Sequence, residues 1–206
     1  MKISARVVTT AVLTASLAAG VTACGQGSSG GGPAPDVSVR DTTAPVTPRA
    51  GAAPALDRST PTGLRIPAAG VDATGMLRLG LDADGALQVP PADKGAEPGW
   101  WTGSPTPGEK GAAVLVAHYD TANGPALMRN IAKVRAGDRV EVPRADGRTA
   151  TFEVRQIQQV NKKDFPTNKV YAATGRPTLR LITCGGPLVD GHRSDNIILY
   201  ADLVQR

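Results

Sequence analysis

Thr178-Leu-Arg-Leu-Ile-Thr-Cys184-Gly-Gly-Pro187 and Gly111-Ala-Ala-Val-Leu-Val-Ala-His118 are the two stretches on which the reading of this chain turns. Each is a short apolar run rich in Val, Ile and Leu, bounded by Gly or Pro, which is the pattern of a buried strand. Each ends on a side chain with chemistry to offer, a thiol in one and an imidazole in the other. Working outward, the same grammar recurs at Gly63–Pro67, Val71–Thr74, Ala86–Pro90, Arg139–Pro143, Thr149–Val160 and Asn196–Val204. Val140 and Val142 alternate with Arg139 and Glu141, and Asp146-Gly147 supplies the positive φ of a hairpin turn. Eight such strands predict a mainly all-β domain, a closed barrel or sandwich. Two short helical stretches are expected within it, Ala126–Val134 and Asn168–Ala173.

The rest of the chain is different in kind. Residues 1–23 open with Lys2 and Arg6 and continue as an uncharged apolar run, the layout of an export signal. Val21-Thr-Ala-Cys24 resembles the lipobox of bacterial lipoproteins, which implies cleavage before Cys24 and lipidation of its sulfur. Residues 24–61 are Gly/Ser-rich and then Pro/Ala/Thr-rich, without aromatics, and predict a disordered tether because they cannot bury enough surface to offset ordering. Residues 62–206 form the folded domain. Of the net charge of +5, only +3 belongs to this domain, in mixed signs, so nucleic acid is not an expected partner. The membrane is, through the N-terminal anchor.

Chemistry has few candidates. Beyond Cys24 the chain has one cysteine, Cys184, and its histidines are His118 and His192. An exported lone thiol at a strand end, with two glycines permitting close backbone approach, reads as a nucleophile. His118, at the end of a buried strand, is the expected acid–base partner in preference to His192. Arg193 is expected to reach back across a loop at 185–192 to stabilise an oxyanion. Alternation puts Arg180 on the face of Ile182 and Cys184, where it would line a groove. Trp101 is a candidate groove wall, Asp120 a candidate for orienting His118, and Thr183 a neighbour of the nucleophile. No metal or organic cofactor is expected.

Taken together, His118-Tyr-Asp-Thr, Leu179-Arg-Leu-Ile-Thr-Cys184 and Arg193 ahead of an Ile/Leu/Tyr strand resemble a sortase. Gly99-Trp-Trp101, Gly124-Pro125, Gly137-Asp-Arg-Val140, Phe165-Pro-Thr167 and Cys184-Gly-Gly186 extend the resemblance to the class E/F sortases of high-GC Gram-positive bacteria. The resemblance implies an eight-stranded sortase-type β-barrel and a transpeptidase that cuts an LPxTG-type motif between Thr and Gly through a thioacyl enzyme. It implies as partners surface proteins carrying that motif and a peptidoglycan-precursor amine as acceptor, met at the outer face of the membrane. In that scheme Cys184, His118 and Arg193 are catalytic, and Thr183, Arg180, Asp120 and Trp101 contact substrate. Ala117 stands where many relatives have Gly. No obvious inhibitory lid is read in the sequence. Two other readings are an L,D-transpeptidase-like cysteine acyltransferase, whose Ser-His-Gly-Cys motif is absent, and a non-catalytic lipoprotein binding peptide or wall polymer.

Overall fold

The computed structural model describes residues 34–43 and 53–204. The strands, in chain order, are β1 (Thr42–Thr43), β2 (Leu64–Ile66), β3 (Val71–Ala73), β4 (Leu77–Leu79), β5 (Gly99–Trp101) and β6 (Gly111–Val116). They continue with β7 (Asp120–Thr121), β8 (Gly124–Pro125), β9 (Arg139–Pro143), β10 (Thr149–Asn161), β11 (Pro177–Val189) and β12 (His192–Leu203). One α-helix, α1 (Thr167–Tyr171), precedes β11. A curled sheet runs in the order β3-β2-β9-β10-β12-β11-β6-β5-β4, with β1 added to β10, and β7 pairs only with β8.

The all-β expectation holds, with more strands than eight because several two- and three-residue segments join the sheet edges. The long strands alternate. Leu179 and Leu181 of β11 enter the main core with Leu115, Phe152, Ile157, Ile197 and Leu199. Ile182 faces the other way, into a smaller cluster with Val114, Val170, Ile198 and Tyr200, against which Trp101, Phe165 and Tyr171 pack.

Four expectations change. Ala86–Pro90 is not a strand; only Leu87 makes a bridge, to Leu81, and Pro90 and Pro91 carry no N–H for a ladder. Ala126–Val134 is not a continuous helix, because Leu127 and Met128 give their N–H groups to the Gly95 and His118 carbonyls, leaving a single 3-10 turn at Ile131–Lys133. β11 does not stop at Cys184, and the expected loop at 185–192 is a β-hairpin. Asp190 (φ 49°) and Gly191 (φ 78°) form its two-residue turn, the type that hairpins favour. Last, parts of the expected tether lie on the domain. Ala34, Val37 and Ala53 are buried, β1 pairs with Gln156 and Ile157, and the Leu56 N–H bonds to the Gly108 carbonyl at 2.8 Å. The lipidation site Cys24, the export signal and residues 44–52 lie outside the described residues. No described helix is long and apolar enough to cross a membrane.

Candidate active site

β6 and β11 are parallel neighbours, and their register builds the site. Val116 pairs with Ile182, and the Ala117 N–H continues the ladder to the Ile182 carbonyl at 3.1 Å. His118 and Cys184 each lie two residues beyond that pair. His118 lies just past the end of β6 and Cys184 is still within β11, so both stand at the same end of this strand pair. On the other side, β12 brings Arg193 back along β11, and its Nη1 donates to the Gly186 carbonyl at 3.0 Å, two residues from Cys184. The glycines after Cys184 are required by space. A Cβ on Gly185 would come within 2.5 Å of Ile197, and Gly186 sits at φ +73° against Ser194 and Asp195.

Cys184 is half-buried and is the free cysteine among the described residues. Burial pushes its pKa up, Lys162 and Arg193 pull it back, and Asp120 opposes them. The resting group is thus a thiol that needs help to ionise. His118 is half-buried, and its Nε2 lies 2.6 Å from the Pro90 carbonyl. A carbonyl only accepts, so Nε2 carries hydrogen and Nδ1 is the nitrogen left for proton exchange. His192 is exposed.

Arg193 is buried, and every nitrogen of its guanidinium is engaged. Nε and Nη2 donate to Asp120 Oδ2 at 3.0 and 2.7 Å, Nη1 donates to Asp36 Oδ1 at 2.7 Å, and Nη2 donates to the Ala34 carbonyl. Its ring partner is Tyr119, 5.2 Å below, whose hydroxyl donates to the Pro35 carbonyl at 2.8 Å. Asp120, expected beside His118, is therefore the partner of Arg193. The backbone of residues 34–37 lies across this end of the cleft as a strap: Gly186 N–H bonds to the Val37 carbonyl at 2.9 Å, and Leu188 N–H bonds to Asp36 Oδ1 at 3.2 Å. Sequence reasoning read no lid here, because an acid in a Pro/Gly-rich stretch carries no signal until Arg193 is placed next to it. Lys162 and the Pro90 carbonyl were also missed, the latter because main-chain groups have no sequence signature.

The remaining candidates separate. Arg180 is buried with its guanidinium 5.0 Å from the Tyr200 ring centroid, on the face of Ile182. Trp101 packs edge-on to Tyr171 at 5.5 Å on that same face. Thr183 points into the protein, and its Oγ1 is buried without a hydrogen-bond partner. Among the described residues no cluster of His, Cys, Asp or Glu could hold a metal.

The family model for the sortase domain matches residues 64–204. A comparison with curated protein sequences returns no significant match. Solved structures with similar folds include sortase A from Corynebacterium diphtheriae, a lid mutant (22% identity, 73% of each chain, TM-score 0.54). Sortase C1 from Streptococcus agalactiae is also similar (21% identity, 70% of this chain and 67% of that one, TM-score 0.51). So is sortase D5 from Clostridium perfringens (19% identity, 71% and 79%, TM-score 0.51).

Proposed function

Because the chain belongs to the sortase family, we propose that it is a cysteine transpeptidase cutting an LPxTG-type sorting signal between Thr and Gly and passing the acyl group to a cell-wall amine. The observation that supports this reading is the β6–β11 pairing, which ends at Val116 and Ile182 with His118 and Cys184 each two residues further along. His118 Nδ1 takes the Cys184 thiol proton, and the resulting thiolate adds to the Thr carbonyl carbon. The tetrahedral intermediate collapses as His118 protonates the departing glycine nitrogen, leaving a thioester. An acceptor amine, deprotonated by His118, then displaces the sulfur and regenerates the enzyme. The Pro90 carbonyl holds the ring so that Nδ1 faces this exchange.

Arg193 is the oxyanion donor in this reading, and as found it has no free N–H direction. Two of its partners differ in kind: the Asp120 carboxylate is 10% exposed, whereas that of Asp36 is 66% exposed. An ion pair with one partner in water contributes about 0–1 kcal/mol, so the strap is the contact that yields and Asp120 the one that stays. Turnover then proceeds with residues 34–37 displaced, freeing one N–H of Nη1 and one of Nη2. Export, lipidation at Cys24 and action at the outer face of a Gram-positive membrane complete the proposal.

The test uses the full-length protein in detergent with LPxTG and LAxTG peptides and triglycine. Mass spectrometry should find the acyl–triglycine product and, with hydroxylamine in its place, the hydroxamate. Cys184→Ala and His118→Ala should lose the activity. Undiminished product from Cys184→Ala would sink the mechanism.

A further inference from the structure

Cys184 has a polar neighbour that the scheme above leaves unused. On β12 its paired residue is Asn196, and Val160 of β10 pairs with Asn196 in turn. Residues directly opposite each other in antiparallel strands share a face, with Cβ atoms about 4.5–5.5 Å apart. Two residues along, the pair Ile182 and Ile198 lies in the smaller cluster, and Val160 packs against that cluster too. Asn196 therefore stands beside the thiol, on the face of the sheet that carries it. Both residues are half-buried, so neither is sealed from a substrate. The polar side chains next to it bind one another: Ser194 Oγ, Gln159 Nε2 and Asn161 Nδ2 donate to the Asp195 carboxylate at 2.8, 2.7 and 3.4 Å. The Asn196 amide makes no hydrogen bond among the described residues. The hydrogen bonds of the strap fall on Gly186, Leu188, Arg193 and Tyr119, so the Asn196 amide waits for no partner to withdraw.

The sheet order says what that amide is placed to do. β11 lies between β6 and β12, so Cys184 has the strand leading to His118 on one side and Asn196 on the other. When Sγ adds to the scissile carbonyl, the C–S bond forms and the π pair moves onto oxygen. The tetrahedral carbon then carries sulfur, the departing nitrogen, the oxyanion and its own Cα. Nitrogen faces His118, which protonates it. Of the two directions left, one is toward β12. An Nδ2–H there donates to the oxyanion and transfers no proton, and the electron pair returns to carbon as nitrogen leaves. A donor already in place costs no reorganisation at the moment of reaction, whereas Arg193 must first lose the strap. Without such a role, a half-desolvated amide with unmet donors is a cost to the fold.

We propose that Asn196 is a further catalytic residue, its side-chain Nδ2 serving with Arg193 as a donor to the oxyanion formed at Cys184. The inference rests on the transpeptidase reading above and deepens it. The experiment uses the full-length protein in detergent and makes three measurements. They are kcat and KM with LPxTG and LAxTG peptides and triglycine, Ki for a peptide aldehyde built on the same motif, and the rate of Cys184 alkylation by iodoacetamide. The aldehyde adds the thiol and leaves an oxygen where the oxyanion would form, whereas alkylation makes a C–S bond with no such oxygen. Asn196→Leu keeps the branched shape and removes the polar atoms. Its kcat should fall by about 10–100-fold with KM within about threefold, and its Ki should rise by about as much, while alkylation stays within about twofold. Should the Leu variant fail to fold, Asn196→Asp, which keeps the shape but only accepts hydrogen bonds, must raise Ki at least as far. Wild-type kcat and Ki in either variant overturn the donor and leave the transpeptidase standing. Alkylation of Asn196→Leu that slows in step with kcat also overturns it, because the residue then acts on the thiol. A wild-type protein that forms no product from any of the peptides overturns both.

Discussion

Two buried arginines, each beside an aromatic ring, differ in how fully their donors are met. Arg193 lies over Tyr119 with two carboxylates and two carbonyls around it. Arg180 lies over Tyr200 with one carbonyl, from its own strand. A saturated guanidinium fixes structure and can act only when a partner withdraws. The difference shows that burial of a cation says little until its partners are counted.

Activity separates the two most widely. Arg193→Met should lower kcat/KM by about 10²–10³, the usual loss of an oxyanion donor. Arg180→Met should stay within about threefold of wild type, since Arg180 lies in the buried cluster four residues along β11 from Cys184. A comparable collapse in both variants would erase the distinction.

Stability is the second measure. Arg193→Met strands the Asp120 carboxylate, and urea unfolding should show a loss of about 3–5 kcal/mol, the cost of breaking a buried pair. Arg180→Met removes a cation that no carboxylate contacts directly, Asp202 acting on it only through space, and should change stability by less than about 1 kcal/mol, the cation–π contact and the relieved desolvation nearly offsetting.

A smaller effect comes from the strap. Asp36→Ala removes the exposed half of the Arg193 network, and peptide cleavage should rise by about fivefold if docking is worth about 1 kcal/mol. The thiol supplies an independent readout. Burial is the main cause of its raised pKa, so a loosened strap exposes Cys184 and should move the pH midpoint of iodoacetamide alkylation downward. Alkylation at neutral pH therefore speeds up. An unchanged midpoint with unchanged cleavage would mean that the strap has no hold on the cleft. The smallest effect is at Thr183, whose buried hydroxyl has no partner. Thr183→Val should leave stability unchanged or raise it by up to about 1 kcal/mol in thermal unfolding.

Sequence legibility followed the range of the interactions. The hairpin at Asp146-Gly147 was readable because a dipeptide encodes it, and its structure has Gly147 at φ 77°. Asp190-Gly191 carries the same signal one hairpin later. Reading it would have extended β11 and β12 and put Arg193 in a strand instead of beyond a loop. Cys184 and His118 were legible because each ends an apolar run. Asp36, 157 positions from Arg193 in sequence, was not. Neither was the Pro90 carbonyl on His118, since any residue presents a carbonyl.

By itself the sequence determined the class of fold, the candidate thiol and imidazole, and the face on which Arg180 stands, because period-two alternation and turn dipeptides act within a few residues. Only the tertiary structure decided which arginine is satisfied and which is not, that Asp120 serves Arg193 and not His118, and that residues 34–37 close one end of the groove. Those outcomes depend on desolvation and on partners brought from distant parts of the chain, and neither exists until the sheet has curled.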